Sequence, residues 1–223
     1  MSGDIRIAPS IVAADFTRLA EEIRECEAAG ASYLHIDVMD GRFVPPITLG
    51  TSIIEAIRRS TDLVLDIHLM IAEPEKHIGA FMDAGGDIIN VHVEASSHVH
   101  RAVQEVHARG KRAGVCLNPG TPVSAIEEVL PMVDQVMLMA VNPGWSGQAF
   151  IASAIGKVSQ VRRMIDEGRY KAEIEVDGGV KPGNAHACAA AGANVLVAAS
   201  AIFNDQGTIA DNIARLRSAI ADR

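Results

Sequence analysis

A histidine and a carboxylate stand two residues apart at His35 and Asp37, inside the otherwise apolar run LHIDVMDGRFVPP that begins at Leu34. Successive strand side chains face opposite ways, so these two point to one side while Leu34, Ile36 and Val38 point to the other. An ionised carboxylate in low dielectric is strongly disfavoured unless a cation or a hydrogen-bond network compensates it. The partners must come from elsewhere in the chain. Three further polar residues end apolar runs in the same way: Ser10 after IRIA, His68 in LDIHLM and Asp177 in EIEVDGGV. His35, Asp37, His68 and Asp177 together are a donor set for Zn²⁺, Fe²⁺, Mn²⁺ or Co²⁺, with positions left open for a substrate. Any one of them alone is more often a hydrogen-bonded core residue. Asp66 and Glu175, two residues back on the same faces, would either orient the ligands or form a structural polar layer, and the sequence favours neither. His77, His98, His100, His107 and His186 fall on helices or their approaches and read as solvated surface, whereas His92, in VHVEA, is assigned to neither group.

The elements that must position these residues recur along the whole chain. Strand-like runs start at Ile5 (IRIA), Tyr33 (YLHID), Leu63 (LVLDIHL), Ile88 (IINVHV), Arg112 (RAGVCL), Gln135 (QVMLMAV), Ala172 (AEIEVD) and Val195 (VLVA). Between them the apolar spacing turns helical: Phe16, Leu19, Ile23 and Cys26; Ile78, Phe81 and Met82; Val99, Val103 and Val106; Ile209, Ile213, Leu216 and Ile220. Ser52 with Glu55 predicts a capping box, and Thr121 before Pro122 predicts an N-cap. Four helix exits, AAGASYLHI, DAGGDIINV, ARGKRAGVC and AAGANVLVA, each place glycine where a left-handed cap is needed. Eight units of about 28 residues each predict a single closed (β/α)₈ barrel over residues 1–223. The competing doubly wound sheet would carry GxGxxG after its first strand, where APSIVAAD stands instead. In a barrel the active site lies at the C-terminal strand ends, which is where Ser10, His35, Asp37, His68 and Asp177 fall.

With 223 residues and 48% hydrophobic content the chain can bury a full core, and a formal charge of −8 argues against nucleic acid or an anionic membrane as main partner. Cys26, Cys116 and Cys188 are odd in number and form no CxxC pair, so neither a disulfide framework nor a thiolate zinc site is expected. MSGDIRIAPS has no apolar leader core and no run approaches the roughly 18 apolar residues of a membrane span, so a cytoplasmic location is expected.

An anionic small molecule is still allowed if a local site supplies positive potential. NPGWSGQ, from Asn142, follows the sixth strand, and Asp177 to Gly179 (DGG) follows the seventh; glycines there let backbone N–H groups approach a phosphate. ASAIF, from Ala199, is expected to begin a short extra helix aimed at the same point, the usual barrel arrangement. Met39, Met70 and Met139, at or just past strand ends, would form an apolar cap over the reacting centre.

IAPSIVAADF, HIDVMDGRFVP, LDIHLM, LNPGTP, VNPGWSGQ, EIEVDGGV and SAIF, in this order over nearly the whole chain, together resemble the ribulose-phosphate 3-epimerase family. The resemblance implies a (β/α)₈ barrel that interconverts D-ribulose 5-phosphate and D-xylulose 5-phosphate in the pentose phosphate pathway, with no nucleic-acid or membrane partner and more than one subunit. It implies that His35, Asp37, His68 and Asp177 hold one divalent metal per subunit, zinc or ferrous iron, and that Asp37 and Asp177 are the acid/base pair. It also implies that Ser10 and His68 touch substrate, while Gly144, Trp145, Ser146, Gly147, Gly178, Gly179, Ala199 and Ser200 surround its phosphate. Four positions depart from the family's usual pattern: Pro46 for Asn, Trp145 and Ser146 for Phe and Gly, and Ala199 for the first Gly of GSAIF. The Ala199 methyl would crowd the backbone approach to phosphate.

Inverting a carbon beside a carbonyl needs a proton removed from one face and one returned to the other, hence two opposed carriers. A 3-epimerase for a hexulose phosphate such as D-allulose 6-phosphate would share fold, metal and mechanism; that group tends to show NPET and DGS where this chain has NPGT and DGG. Phosphate-binding barrel lyases and decarboxylases carry a D-x-K motif on the third strand, where Asp66-Ile67-His68 offers imidazole instead. A catalytically silent sugar-phosphate binder would have lost one of the four ligands.

Overall fold

The computed structural model describes residues 5–221, so Met1 to Asp4 of the N-terminal stretch discussed above lie outside the described residues. All eight expected strands form: β1 (Arg6–Pro9), β2 (Tyr33–Met39), β3 (Val64–Met70), β4 (Ile88–His92), β5 (Arg112–Leu117), β6 (Gln135–Met139), β7 (Glu173–Asp177) and β8 (Val195–Ala198). They pair in parallel in the order β1-β8-β7-β6-β5-β4-β3-β2. A single parallel bridge between Ser10 and His35 joins the two ends and closes the barrel. The expected bounds of β5 and β8 match, and the others err by one or two residues; β2 continues through Val38 and Met39, and β6 stops at Met139.

Seven α-helices wrap this sheet: α1 (Leu19–Ala28), α2 (Thr51–Arg58), α3 (Ile78–Asp83), α4 (Val99–Ala108), α5 (Ala154–Gly168), α6 (Pro182–Ala190) and α7 (Ile209–Ala221). The outward strand faces, such as Leu34, Ile36, Leu65, Ile67, Val115 and Val136, pack with buried helix residues such as Ile54, Val103, Val158 and Ile213 into one apolar shell. Burying a full aliphatic side chain contributes about 1.5–3 kcal/mol, so this shell carries most of the fold's favourable free energy. The four expected glycine turns are left-handed, with φ of +83° at Gly30, +117° at Gly85, +70° at Gly110 and +112° at Gly192.

Four local expectations are corrected. Phe16 lies before α1 and is 48% exposed, because Asp15 Oδ1 accepts the Thr17 N–H and turns the chain there. Gly50, whose carbonyl accepts from the Ile53 N–H, caps α2; Ser52 is already inside the first turn and makes no capping bond. Thr121 donates its hydroxyl to Glu94 rather than to a helix, and the β5–β6 crossover consists of two short 3₁₀ turns, Val123–Ile126 and Leu130–Met132. The segment from Ala199 makes one turn, with Ile202 and Phe203 N–H on its carbonyl, and Asn204 then bonds back to Ser200 instead of continuing a helix.

Candidate active site

Two layers of polar side chains lie inside the barrel, the upper one toward the C-terminal strand ends. The register sets Asp37 beside His68 and His35 beside Asp66, so neighbouring strands deliver alternating acid and base. The ligand atoms of His35, Asp37, His68 and Asp177 all lie within 4.8 Å of one another. Asp37 Oδ1 is 3.0 Å from His68 Nδ1 and 3.4 Å from His35 Nε2, and Asp177 Oδ2 is 3.5 Å from His68 Nδ1. Ser10 Oγ donates to the other Asp37 oxygen at 2.6 Å. Thr48, from the loop after β2, donates its hydroxyl to the Asp37 carbonyl at 2.7 Å.

The layer beneath decides how the first histidine presents itself. His35 Nδ1 is 2.8 Å from Asp66 Oδ2, so Nδ1–H donates there. Asn90 Nδ2 donates to Asp66 Oδ1 at 2.6 Å, and Gln135 donates to Glu175. Burial raises Glu175 well above the ordinary range, reinforced by the Asp66 charge, whereas Asp66 stays low because bonds to His35 outweigh its own burial. Asp66 is thus both a deep polar layer and the group that orients His35. With Nδ1 committed, His35 Nε2 is a fully buried ring nitrogen without a hydrogen-bond partner, facing Asp37. Burial disfavours the His35 imidazolium, but Asp37, Asp66 and Glu175 overcome it and raise its pKa well above the usual value. This cluster of carboxylates calls for a cation. An orphaned imidazole nitrogen converging with a second imidazole and two carboxylates fits a divalent ion of N/O preference.

The two aspartates differ. Burial would raise Asp37, yet the His35 charge and close contact with both imidazoles hold it below the normal carboxylate range. Burial and the Asp37 charge push Asp177 up to about 7. One carboxylate is therefore ionised near neutrality while the other holds a proton about half the time.

Both aspartates line a cleft at the barrel mouth, while His35 and His68 lie behind them, wholly buried. Ser10, Met39, Met70 and Met139 also line it; the three methionines are buried, as an apolar cap requires. Gly144, Trp145, Ser146 and Gly147 form one rim, and Gly178, Gly179, Ala199 and Ser200 the other. Gly178 and Gly179 have φ of +106° and +67°, and a Cβ on Gly178 would meet Val141 Cγ2 at 2.4 Å, so this close turn needs glycine. Trp145 is 57% exposed and stands free over the opening.

Sequence reasoning missed three residues, Lys181, Gln148 and Cys116, and left His92 unassigned. Lys181, two residues past DGG, brings a cation to the rim, and Gln148 ties the 142–148 loop by donating to the Asn142 and Trp145 carbonyls. His92 and Cys116 are buried beside His68. The signal for the last two was present, since both lie at or next to the C-terminal ends of their strands, β4 and β5, and pair with each other in register. The five surface histidines are exposed as expected, His107 pairing with Asp134 at 2.8 Å.

The model of the ribulose-phosphate 3-epimerase family matches residues 6–203. This chain belongs to that family. Its members are carbohydrate epimerases of the isomerase class. A Bacillus subtilis ribulose-phosphate 3-epimerase is 54% identical over 200 residues, covering 89% of this chain and 92% of the relative. The chloroplastic ribulose-5-phosphate-3-epimerase of Arabidopsis thaliana is 53% identical, covering 90% of this chain and 72% of the relative. Among solved structures, 3-hexulose-6-phosphate synthase superposes with a TM-score of 0.69 at 23% identity, over 98% of this chain and 100% of that one. 3-Keto-L-gulonate-6-phosphate decarboxylase from Vibrio cholerae superposes at 0.70 with 13% identity, over 99% and 98%. These two show the fold alone. No helix among the described residues is long and apolar enough to cross a membrane.

Proposed function

We propose that this chain, as one (β/α)₈ catalytic domain, interconverts D-ribulose 5-phosphate and D-xylulose 5-phosphate by metal-dependent transfer of the proton on carbon 3. The observation that carries this reading is the convergence of His35, Asp37, His68 and Asp177 at the mouth of the barrel, with one aspartate low and the other at about 7. Curated relatives at 44–54% identity are named for ribulose phosphate, so a hexulose phosphate is not favoured.

These four residues would hold a divalent cation such as zinc or ferrous iron, which would supply Lewis acidity to the substrate. Asp37, kept ionised by the two histidines, takes the proton from carbon 3. Asp177, protonated, returns one to the opposite face, and the roles exchange in the reverse direction. Each positioned transfer is worth about 10²–10⁴-fold. Met39, Met70 and Met139 keep bulk water from the reacting carbon, and Ser10 holds the Asp37 carboxylate by its second oxygen. The phosphate sits between the 144–147 and 178–179 turns, with Ala199 and Ser200 at its side, where backbone N–H groups and Lys181 offset the chain's overall negative charge. The free, buried Cys26, Cys116 and Cys188 suit the reducing cytoplasm, and the enzyme works as a homo-oligomer.

Incubation with D-ribulose 5-phosphate in deuterated water, before and after chelator treatment, tests the proposal. Deuterium enters carbon 3 with the metal present and stops entering after chelation; incorporation that survives complete metal removal, or none at all in the metal-loaded protein, overturns it.

A further inference from the structure

His68 is reached on its far side by a chain of contacts that the reaction itself does not use. His68 Nε2 lies 2.8 Å from His92 Nε2, with the rings stacked at a centroid distance of 5.0 Å. His92 Nδ1 lies 3.2 Å from Glu94 Oε2. Glu94 Oε1 accepts the Asn118 N–H at 2.8 Å and the Thr121 hydroxyl. Lys157 on α5 holds that loop by donating to the carbonyls of Asn118, Pro119 and Thr121 at 2.9, 2.6 and 2.5 Å. The chain therefore runs from α5 through the β5 loop and the end of β4 to a metal-site histidine on β3.

Two nitrogens at 2.8 Å must be one donor and one acceptor, and only one assignment satisfies every link on the far side of His68. A carboxylate at Glu94 can only accept, so His92 Nδ1 carries hydrogen and donates to it. Neutral His92 then has a bare Nε2, so His68 Nε2–H donates to His92, with Cys116 Sγ a second, weaker contact at 3.7 Å. His68 Nδ1 is left as a lone pair aimed at Asp37 Oδ1 and Asp177 Oδ2. Between two carboxylates, that lone pair is repelled unless a cation lies among them. In the opposite assignment, His68 Nδ1–H would block its ligand position and the bare His92 Nδ1 would face the Glu94 carboxylate. We propose that Glu94 and His92 are positioning residues that lock His68 in its metal-binding tautomer. This rests on the metal-dependent reading above.

Glu94→Gln reverses the chain without changing its shape. Asn118 N–H and Thr121 O–H both point at the Oε1 position, which must remain an oxygen, so the amide nitrogen faces His92 and becomes a donor. His92 then donates to His68, and His68 Nδ1 gains hydrogen. The experiment compares Co²⁺ binding, by visible absorption and chelator competition, and His ¹⁵N chemical shifts in the metal-free protein, for wild type, Glu94→Gln and His92→Phe. His92→Phe retains a stacking ring but offers no acceptor, and the circular dichroism and melting temperature of each metal-free protein report folding. Expected are a Co²⁺ dissociation constant raised about 10–100-fold in Glu94→Gln, the usual cost of losing an outer partner of a ligand, and hydrogen moved to Nδ1 of His68. A weaker site in His92→Phe also supports the chain. Wild-type Co²⁺ affinity and an unchanged His68 tautomer in folded Glu94→Gln overturn it. Failure of the wild type itself to bind Co²⁺ overturns instead the metal-dependent reading on which it rests.

Discussion

The division of labour between Asp37 and Asp177 follows from their neighbours rather than from residue type. Asp37 is flanked by two imidazoles and a serine hydroxyl, while Asp177 has the Asp37 charge nearby and its nearest imidazole contact, His68, at 3.5 Å. Replacing either by asparagine keeps shape and removes a proton carrier, so turnover falls by at least about 10²–10⁴-fold. A coupled epimerase assay on Asp37→Asn and Asp177→Asn checks this, with circular dichroism unchanged; near-normal turnover in either refutes its assignment as a proton carrier. That both aspartates and both histidines point into the barrel interior was readable from period-two spacing. That His35 would present Nε2 was not, because it depends on Asp66, a residue on another strand.

At the scale of elements, the ends of neighbouring strands are coupled through register. Asn90 pairs with Gly114, and a Cβ at Gly114 would lie 1.7 Å from Asn90 Oδ1, the same amide that holds Asp66. Glycine at this strand position leaves room for the polar layer. Gly114→Ala is expected to displace Asn90 and cost about 1–3 kcal/mol in urea unfolding, in line with other overpacked cores. Gly183→Ala, in α6 with open space around its Cβ, is the matched control and is expected to stabilise by about 0.5–1 kcal/mol. Equal effects at both sites would show that packing around Asn90 is not what requires Gly114. The strands were legible because their apolar alternation is strong. The β5–β6 crossover and the turn after β8 were misjudged because side chains there bond to distant partners: Thr121 is drawn to Glu94, and Asn212 Nδ2, on α7, donates to the Ile202 carbonyl at 2.8 Å.

For the molecule as a whole, the site is a concentration of negative charge that folding must bring together. Asp37, Asp66, Glu175 and Asp177 converge in one barrel interior, and a bound cation offsets their repulsion. A ligand that binds only the folded state at a hundredfold excess over its dissociation constant stabilises by about 2.7 kcal/mol. For a chain of this length that corresponds to a rise in melting temperature of roughly 5–10 °C. Calorimetry of chelator-stripped protein with and without added Zn²⁺ measures it; an unchanged melting temperature under saturating Zn²⁺ would count against a cation held among these carboxylates. The opposite mouth is closed differently, by Arg6, Tyr33, Arg112 and Glu173. There the Tyr33 hydroxyl accepts from both arginines at 3.0 Å and donates to Glu173 at 3.1 Å.

Alternation along each strand and the glycine at four helix exits are local properties, and they sufficed to predict eight strands, a closed barrel, the four candidate ligands and the glycine turns at the rim. The tautomers of His35 and His68, the unequal affinities of Asp37 and Asp177 for protons, and the inclusion of His92, Glu94 and Cys116 depend on which strands lie side by side and in what register. Hydrogen-bond partners and desolvation act through space, across 24 to 31 residues of chain for the contacts of His68 with His92 and Asp37, so only the folded molecule decides them.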